Sequence, residues 1–511
     1  MKTISEALGT LIEPLKIHPD WADRPAMIGG DQRSLTFSDL QRTTSTFAQA
    51  LVNIGVGKND KVIISSPNTP EYMATLLAVW KIGATAIPID FRLTIDELVN
   101  VVNRVAPKAF IGFTQNCQAI EQAKDKRQSA DLQIFDFAGL AKKGADSSKA
   151  VVSNPDTAAF VILTSGTTGI PKGAMHDLAT LASNLVELGH LASITPGMSV
   201  LLPLPLSHIF GLEVCLVGLL HGASVALTFT PEDFIKALRT NKYDIVAGVP
   251  ALYQAILSLP PGAFDFSSSK ILLSGGAALP ASLAEEFRKR FKTRLNNGYG
   301  STEMKIIALN LAGPDLSVGK TVPSCQVKIM DSDHSLLPEG ETGEICIAGN
   351  MLMKGYFNQS KETEAVLHEG HYHTGDLGYV KDGYLFISGR DKELINVAGN
   401  KVFPSEVEDV LRQHENVKEV AVLGVPHYRL GQLVKAVIVI KDAGMSNMLE
   451  EGEQSQREAR QQLLNSFKEF CKERLKKELR PLEWEFRPNN EALPKTMTGK
   501  IDKKKLQTVS A

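Results

Sequence analysis

The chain has 511 residues, 43% hydrophobic and 22% charged, too many for one hydrophobic core and ordinary for a globular enzyme of two or more domains. Lys and Arg number 55 against 57 Asp and Glu, a formal net charge of -2, so the basic excess of a nucleic-acid binder is absent. Its 5 cysteines are scattered without a CxxC pair, which argues against a disulfide frame or a sequence-encoded zinc site and for reduced thiols in a cytoplasm.

The first segment, MKTISEALGTLIEPLK, has no uninterrupted apolar core, so no signal peptide is expected. Ser38-Asp39-Leu40-Gln41 reads as a helix start with Ser38 as N-cap, Leu40, Phe47 and Leu51 as the apolar stripe and Gly55 as the stop. A strand Lys61–Ser65, a helix Pro70–Lys81 and a strand Ala84–Ile89 follow. Further strands are expected at Ala159–Leu163, Val200–Leu202, Ser224–Leu227, Ile245–Gly248 and Lys270–Leu273, with helical patterns between them. Short apolar strands separated by helices imply parallel sheets covered on both faces. The most apolar stretch, Leu212 to Thr230, is interrupted by Glu213, Gly218, His221 and Gly222 and does not read as a membrane span, although peripheral membrane contact stays compatible with it.

From Val318 to Ile387 short strands with Gly and Asp turns predict a mostly antiparallel, barrel-like piece. After Gly389-Arg390-Asp391-Lys392 alternation resumes, with a helix Ser405–Gln413 and strands Val420–Leu423 and Val434–Ile440. The polar run Asp442–Gln462 reads as a solvated loop entering a charged helix that ends near Glu478. The expected fold is α/β: a large domain over residues 1–389, a hinge at 390–392, and a small mobile α+β domain over 393–511.

The strongest chemical signal is Thr164-Ser165-Gly166-Thr167-Thr168-Gly169-Ile170-Pro171-Lys172-Gly173, placed directly after a strand. Glycines let the backbone approach phosphates, N–H groups and hydroxyls donate to their oxygens, and Lys172 adds a positive charge. The lysine spacing is not that of a Walker loop, which excludes a P-loop NTPase. Four more strings follow in order: Asn297-Gly298-Tyr299-Gly300-Ser301-Thr302-Glu303, Tyr372-His373-Thr374-Gly375-Asp376, Gly389-Arg390, and Pro494-Lys495-Thr496-Met497-Thr498-Gly499-Lys500.

Together these resemble, along nearly the whole chain, the adenylate-forming superfamily of acyl-CoA synthetases, peptide-synthetase adenylation domains and firefly luciferase. The resemblance implies two parallel α/β sheets plus a β-barrel-like subdomain, and a small domain that rotates between two half-reactions. It also implies attack of a carboxylate on the α-phosphorus of ATP, followed by transfer of the acyl group to a thiol. Two anions must meet, so the site needs cations and oriented donors. By resemblance, Lys500 bridges carboxylate and α-phosphate, Glu303 with Thr167 holds Mg²⁺, and Thr302 reaches the α-phosphate. Tyr299, Gly276 and Ala277 frame adenine, Asp376 and Arg390 hold ribose, and Lys392 marks the hinge. Ala398 and Gly399 approach the pantetheine arm of coenzyme A, beside Asn396, where many relatives carry lysine.

His208, in Pro205-Leu206-Ser207-His208-Ile209-Phe210-Gly211, matches the carboxylate end of the acyl tunnel. Amino-acid-activating relatives place Asp where this chain has Gly211, which disfavours an amino acid; Glu213, two residues on, is the alternative carboxylate. The apolar segments Ala247 to Leu252 and Ser274 to Leu279 suit a medium- or long-chain fatty acid; an aryl or dicarboxylic acid is the alternative, and Lys305 is read either as an anchor for a second carboxylate or as an exposed or structural lysine. Free coenzyme A is the expected acceptor, with a phosphopantetheinyl carrier protein as the alternative. The expected assembly is a monomer or homodimer. Retention of Lys500 and Glu303 argues against an inactive adenylate-binding protein, and a luciferase-like oxygenase is the remaining alternative class.

Overall fold

The computed structural model describes residues 19–129, 131–145, 151, 159–164, 172–450, 452–495 and 501–508. The first helix, Phe37–Asn53, is capped by Thr36 and not by Ser38. Thr36 Oγ1 accepts from Asp39 N–H at 3.1 Å, and the Asp39 carboxylate accepts from Thr36 N–H at 3.1 Å. A charged carboxylate at the third helical position completes this box, so the helix starts earlier than the Ser38/Gln41 reading places it.

Two sheets build the large part of the chain. In one, Ala159–Thr164, Thr85–Ile89, Lys61–Ser65, Ala109–Gly112 and Gln133–Asp136 pair in parallel, and Lys172–Asp177 and Gly355–Tyr356 are added antiparallel at one edge. In the other, Pro25–Ile28, Ser224–Leu227, Ser199–Leu202, Ile245–Gly248, Ile271–Ser274 and Asn296–Ser301 form a parallel run. The barrel-like piece continues this run: Lys305–Leu309, Ser317–Thr321, Tyr384–Arg390, His371–Lys381, Gly343–Ala348 and Gln326–Met330 follow in antiparallel order. Strand Asn296–Ser301 is the switch, parallel to Ile271–Ser274 on one side and antiparallel to Lys305–Leu309 on the other.

The main core lies between these sheets. Helix Ile209–Leu220 is almost wholly buried, and Leu212 and Leu216 share one apolar cluster with Trp80, Phe160 and Leu181. A helix apolar on every face belongs in such an interior, and among the described residues no helix is long and apolar enough to cross a membrane.

Beyond Arg390 a third sheet forms from Ile395–Val397, Asn400–Val402, Val417–His427, Gly431–Ile440 and Glu483–Arg487. The polar run expected as a loop is helical, as Ala443–Glu450 and Glu453–Arg474. Ala459, Leu463, Phe467 and Cys471, spaced four apart, give the second helix a single buried line against the sheet. Across the junction Ser405 Oγ donates to Ser388 O at 3.1 Å.

Candidate active site

The sheets deliver their motifs at the carboxyl ends of parallel strands, where open α/β sheets bind ligands. Thr164 ends one strand and Lys172 begins the next; the two pair across the ladder, and Thr164 Oγ1 donates to Lys172 O at 3.3 Å. The two ends of the glycine-rich loop are thus held side by side. Lys172 Nζ lies 4.8 Å from the centroid of the Tyr356 ring. Ser165, Gly166, Thr167, Thr168, Gly169 and Lys500 lie outside the described residues.

The switch strand carries Asn297, Gly298, Tyr299, Gly300 and Ser301, with a register shift between Tyr299 and Gly300. Asn297 is tied into the sheet, its carbonyl accepting from Asn310 N–H at 2.7 Å. Tyr299 Oη donates to Asp376 Oδ2 at 2.7 Å, and Arg390 Nε lies 3.2 Å from Asp376 Oδ1. Burial, then the Asp376 carboxylate, lifts the Tyr299 phenol well above its usual range, so it stays a donor. Three residues expected at the nucleoside therefore meet. Gly276, at φ 74°, follows the strand Ile271–Ser274, with Phe210 against it and Ala277 half-buried beside it.

Glu303 stands just past the switch strand. Its Oε1 accepts from Tyr356 Oη at 2.9 Å, and its carbonyl accepts from Met353 N–H at 2.7 Å. Beneath it lies a buried set that the sequence does not announce. His176 Nε2 donates to Thr302 O at 2.7 Å; Lys305 Nζ donates to His176 Nδ1 at 3.1 Å and to Met351 O. Lys305 has no exposed surface, which rules out the exposed reading and supports the structural one. Glu213 is also fully buried and accepts from Ile306 N–H at 2.7 Å, so it is committed behind the sheet rather than standing in for a substrate-binding Asp.

His208, expected at the acyl side, precedes helix Ile209–Leu220, with Nε2 3.9 Å from Asp90 Oδ2. Burial pulls the Asp90 carboxyl upward, but hydrogen bonds from Arg92 outweigh it and hold the group below its usual range, an anion facing His208. A Cβ added at Gly211 would stand 2.3 Å from Pro205 O, so this backbone leaves no room for the Asp that amino-acid activation uses there. Lys392 sits in a short turn after Arg390. Ala398 and Gly399, at φ 50° and 90°, form the turn between Ile395–Val397 and Asn400–Val402, where Gly399 N–H donates to Asn396 Oδ1 at 2.8 Å.

Tyr356, His176 and Asp90 are the site neighbours that motif reading missed. Asp90-Phe91-Arg92, directly after a strand, carried a signal by position; the other two sit in stretches with none.

The sequence description of AMP-binding enzymes matches residues 18–357, and that of their C-terminal domain matches residues 406–500. The chain belongs to the AMP-binding enzyme family. It is 33% identical over 419 residues to a feruloyl-CoA synthase of Amycolatopsis sp, covering 80% of this chain and 84% of that protein. It is 29% identical to a long-chain-fatty-acid–CoA ligase of Escherichia coli O6:H1, covering 95% and 92%. Among solved structures, an ATP-bound RpMatB-BxBclM chimera superposes with a TM-score of 0.85 at 26% identity over 98% of both chains. This AMP-binding enzyme is thus an adenylate-forming acid–thiol ligase whose co-substrates are ATP and coenzyme A.

Proposed function

We propose that the chain activates an apolar monocarboxylic acid as its acyl-adenylate and passes the acyl group to coenzyme A. A medium- or long-chain fatty acid is the first reading. The supporting observation is a cavity of about 40 Å³ lined only by aliphatic side chains, among them Leu188, Val214, Val217, Ile245, Leu273 and Ile306. Two of its lining residues stand close in the chain to the segments expected at the acyl group: Val214 lies one helical turn after Phe210, and Leu273 two residues before Gly275. An aryl acid is the second reading, favoured by the Phe210 ring packed against Gly275, its Cζ 2.8 Å from where a Cβ would stand.

In this proposal the substrate carboxylate attacks the α-phosphorus of ATP, an O–P bond forms and pyrophosphate leaves. Lys500 and Lys172 neutralise charge where the two anions meet, and His208 steers the carboxylate. Asp376, Arg390 and Tyr299 hold the nucleoside. One hard carboxylate oxygen beside the triphosphate is what Mg²⁺ needs, since it keeps several waters and takes one or two carboxylates, and Glu303 fits with one oxygen steadied by Tyr356. Bound there with Thr167, Mg²⁺ would supply charge neutralisation at the phosphates. Rotation about Lys392 then withdraws Lys500 and brings Ala398-Gly399 to the site. The coenzyme A sulfur attacks the acyl carbon, and AMP leaves.

The test is acid-dependent AMP formation with Mg²⁺ and ATP across fatty acids from acetate to palmitate, ferulate, benzoate, dicarboxylates and amino acids, with and without coenzyme A. A maximum among fatty acids that needs coenzyme A supports the first reading, and a maximum at ferulate or benzoate the second. Preference for a dicarboxylate or an amino acid overturns both.

A further inference from the structure

The barrel-like end of the long sheet gathers a second set of reactive side chains that adenylation does not use. Glu344 and Cys346 alternate onto one face of strand Gly343–Ala348, and Cys346 pairs directly with His373 on strand His371–Lys381. His373 Nδ1 lies 2.9 Å from Glu344 Oε2 and 3.5 Å from Cys346 Sγ, and the three donor atoms all fall within 4.8 Å of one another. Two further imidazoles crowd this point. His368 stacks on His373 at 3.8 Å between ring centroids, and His334 meets the same ring edge-on at 5.0 Å.

We propose that Glu344, Cys346 and His373 form a binding site for a borderline-soft divalent cation, zinc foremost. Tetrahedral zinc bonds of about 2.3 Å to sulfur and 2.0–2.1 Å to nitrogen set S and N about 3.5 Å apart, the spacing the two strands already impose. The matching N-to-O spacing is about 3.4 Å, so on binding the Glu344–His373 hydrogen bond is lost, the contact widens by about 0.5 Å, and the neutral imidazole keeps its one hydrogen on Nε2. Thiolate and imidazole select zinc-like ions, whereas Mg²⁺ demands oxygen ligands, so the cation that accompanies ATP does not compete here. Binding displaces the Cys346 thiol proton to solvent and leaves sulfur as thiolate. The spacing of cysteines along the chain conceals this site, because its ligands come from two strands paired by register.

The site is wired to the nucleotide strand. Glu344 Oε1 accepts from Gly375 N–H at 3.0 Å, one residue before Asp376, so a cation that takes the Glu344 carboxylate pulls on the strand presenting Asp376. Zinc is therefore expected to weaken ATP use without occupying the Mg²⁺ site.

The test uses the chelator-treated full chain titrated with Co²⁺, a visible stand-in for zinc. One Co²⁺ per chain with a thiolate-to-cobalt absorption band, displaced by Zn²⁺, is expected. Cys346→Ser is expected to lose the band while keeping its metal-free melting transition. Glu344→Gln, which keeps an oxygen for Gly375, is expected to weaken Co²⁺ binding at least tenfold. Absence of a thiolate band at stoichiometric Co²⁺, a band unchanged in Cys346→Ser, or Co²⁺ affinity unchanged in Glu344→Gln overturns the proposal.

Discussion

Lys305 Nζ donates to His176 Nδ1 across 3.1 Å, and this contact decides which imidazole nitrogen carries the proton. An ammonium has no acceptor to offer, so Nδ1 must accept and Nε2 must hold the hydrogen that it gives to Thr302 O at 2.7 Å. Burial, then the Lys305 charge, keeps His176 well below its usual range and therefore neutral. The backbone just before Glu303 is held by a chain of donors running out of the core.

Lys305→Met keeps the volume but leaves His176 Nδ1 and Met351 O without a donor and removes the charge that Glu213 faces. Each buried polar group left unpaired costs about 1–3 kcal/mol, so the melting temperature is expected to fall clearly and KM for ATP to rise as Thr302 loosens. Adding Glu213→Gln is expected to restore part of the lost stability, because an isolated buried carboxyl costs more than either partner alone. If Lys305→Met melts like the parent and uses ATP equally well, the network carries no positional weight.

The same pair sets a pH dependence. Burial lifts the Glu213 carboxyl, and the Lys305 charge and the Ile306 N–H only partly counter it. A folded value raised above the unfolded glutamate's ordinary pKa of about 4.3 means the native state holds a proton that the unfolded state has released. This contribution is complete below pH ~4.3 and is lost as pH rises through the raised folded value. Urea unfolding of Glu213→Gln across that window is expected to show a flatter stability profile than the parent. Matching profiles would mean that Glu213 does not titrate differently on folding.

Tyr356 supplies the one described hydrogen bond to the Glu303 carboxylate, at 2.9 Å. Hydrogen bonds to charged groups contribute about 1.5–3 kcal/mol, so Tyr356→Phe is expected to lower kcat/KM roughly ten- to a hundredfold and to raise the Mg²⁺ needed for half-maximal rate. Initial rates over a Mg²⁺ series at fixed ATP separate this from general damage, which lowers the rate without shifting the Mg²⁺ curve.

What could be read from the sequence was what lies on contiguous residues. The loop at Thr164–Lys172, the strand Asn297–Ser301 and the pair Asp376 and Arg390 are strings whose spacing carries the chemistry, and Tyr299, Asp376 and Arg390 meet in space. The charged helix was expected only after Gln462; its first turns, from Glu453, were hidden because Ala459 is the one apolar side chain up to Gln462, too sparse to stand out from a polar loop. The set of His176, Glu213 and Lys305 was hidden for another reason. It joins strand Lys172–Asp177, helix Ile209–Leu220 and strand Lys305–Leu309, and nothing local in any of them marks a partner far along the chain.

A substitution at Lys500 tests whether the two half-reactions rely on different residues. If it acts only where carboxylate and α-phosphate meet, Lys500→Ala is expected to slow adenylate formation about 10²–10³-fold, the cost typical of losing one transition-state donor. Thioester formation from supplied acyl-adenylate and coenzyme A is then expected to stay near the parent rate. Equal loss in both halves would place the lysine in general stability rather than in the first step.

If the aliphatic cavity takes the acyl tail, as proposed, its walls control substrate choice. Val214 lies on its wall, one turn after Phe210, and Val214→Phe adds a ring where the cavity now accepts carbon. One methylene changes discrimination by about 1–3 kcal/mol, so filling this space is expected to cut kcat/KM for the preferred acid at least tenfold. Acids short enough to stop before the cavity are expected to lose little. Measuring kcat/KM for a homologous series in parent and variant gives the chain length at which the two curves part, and hence where the cavity begins along the substrate. Parallel curves at every length would remove the cavity from the acyl path and leave Phe210 and the Gly275–Gly276 edge as the boundary of the pocket.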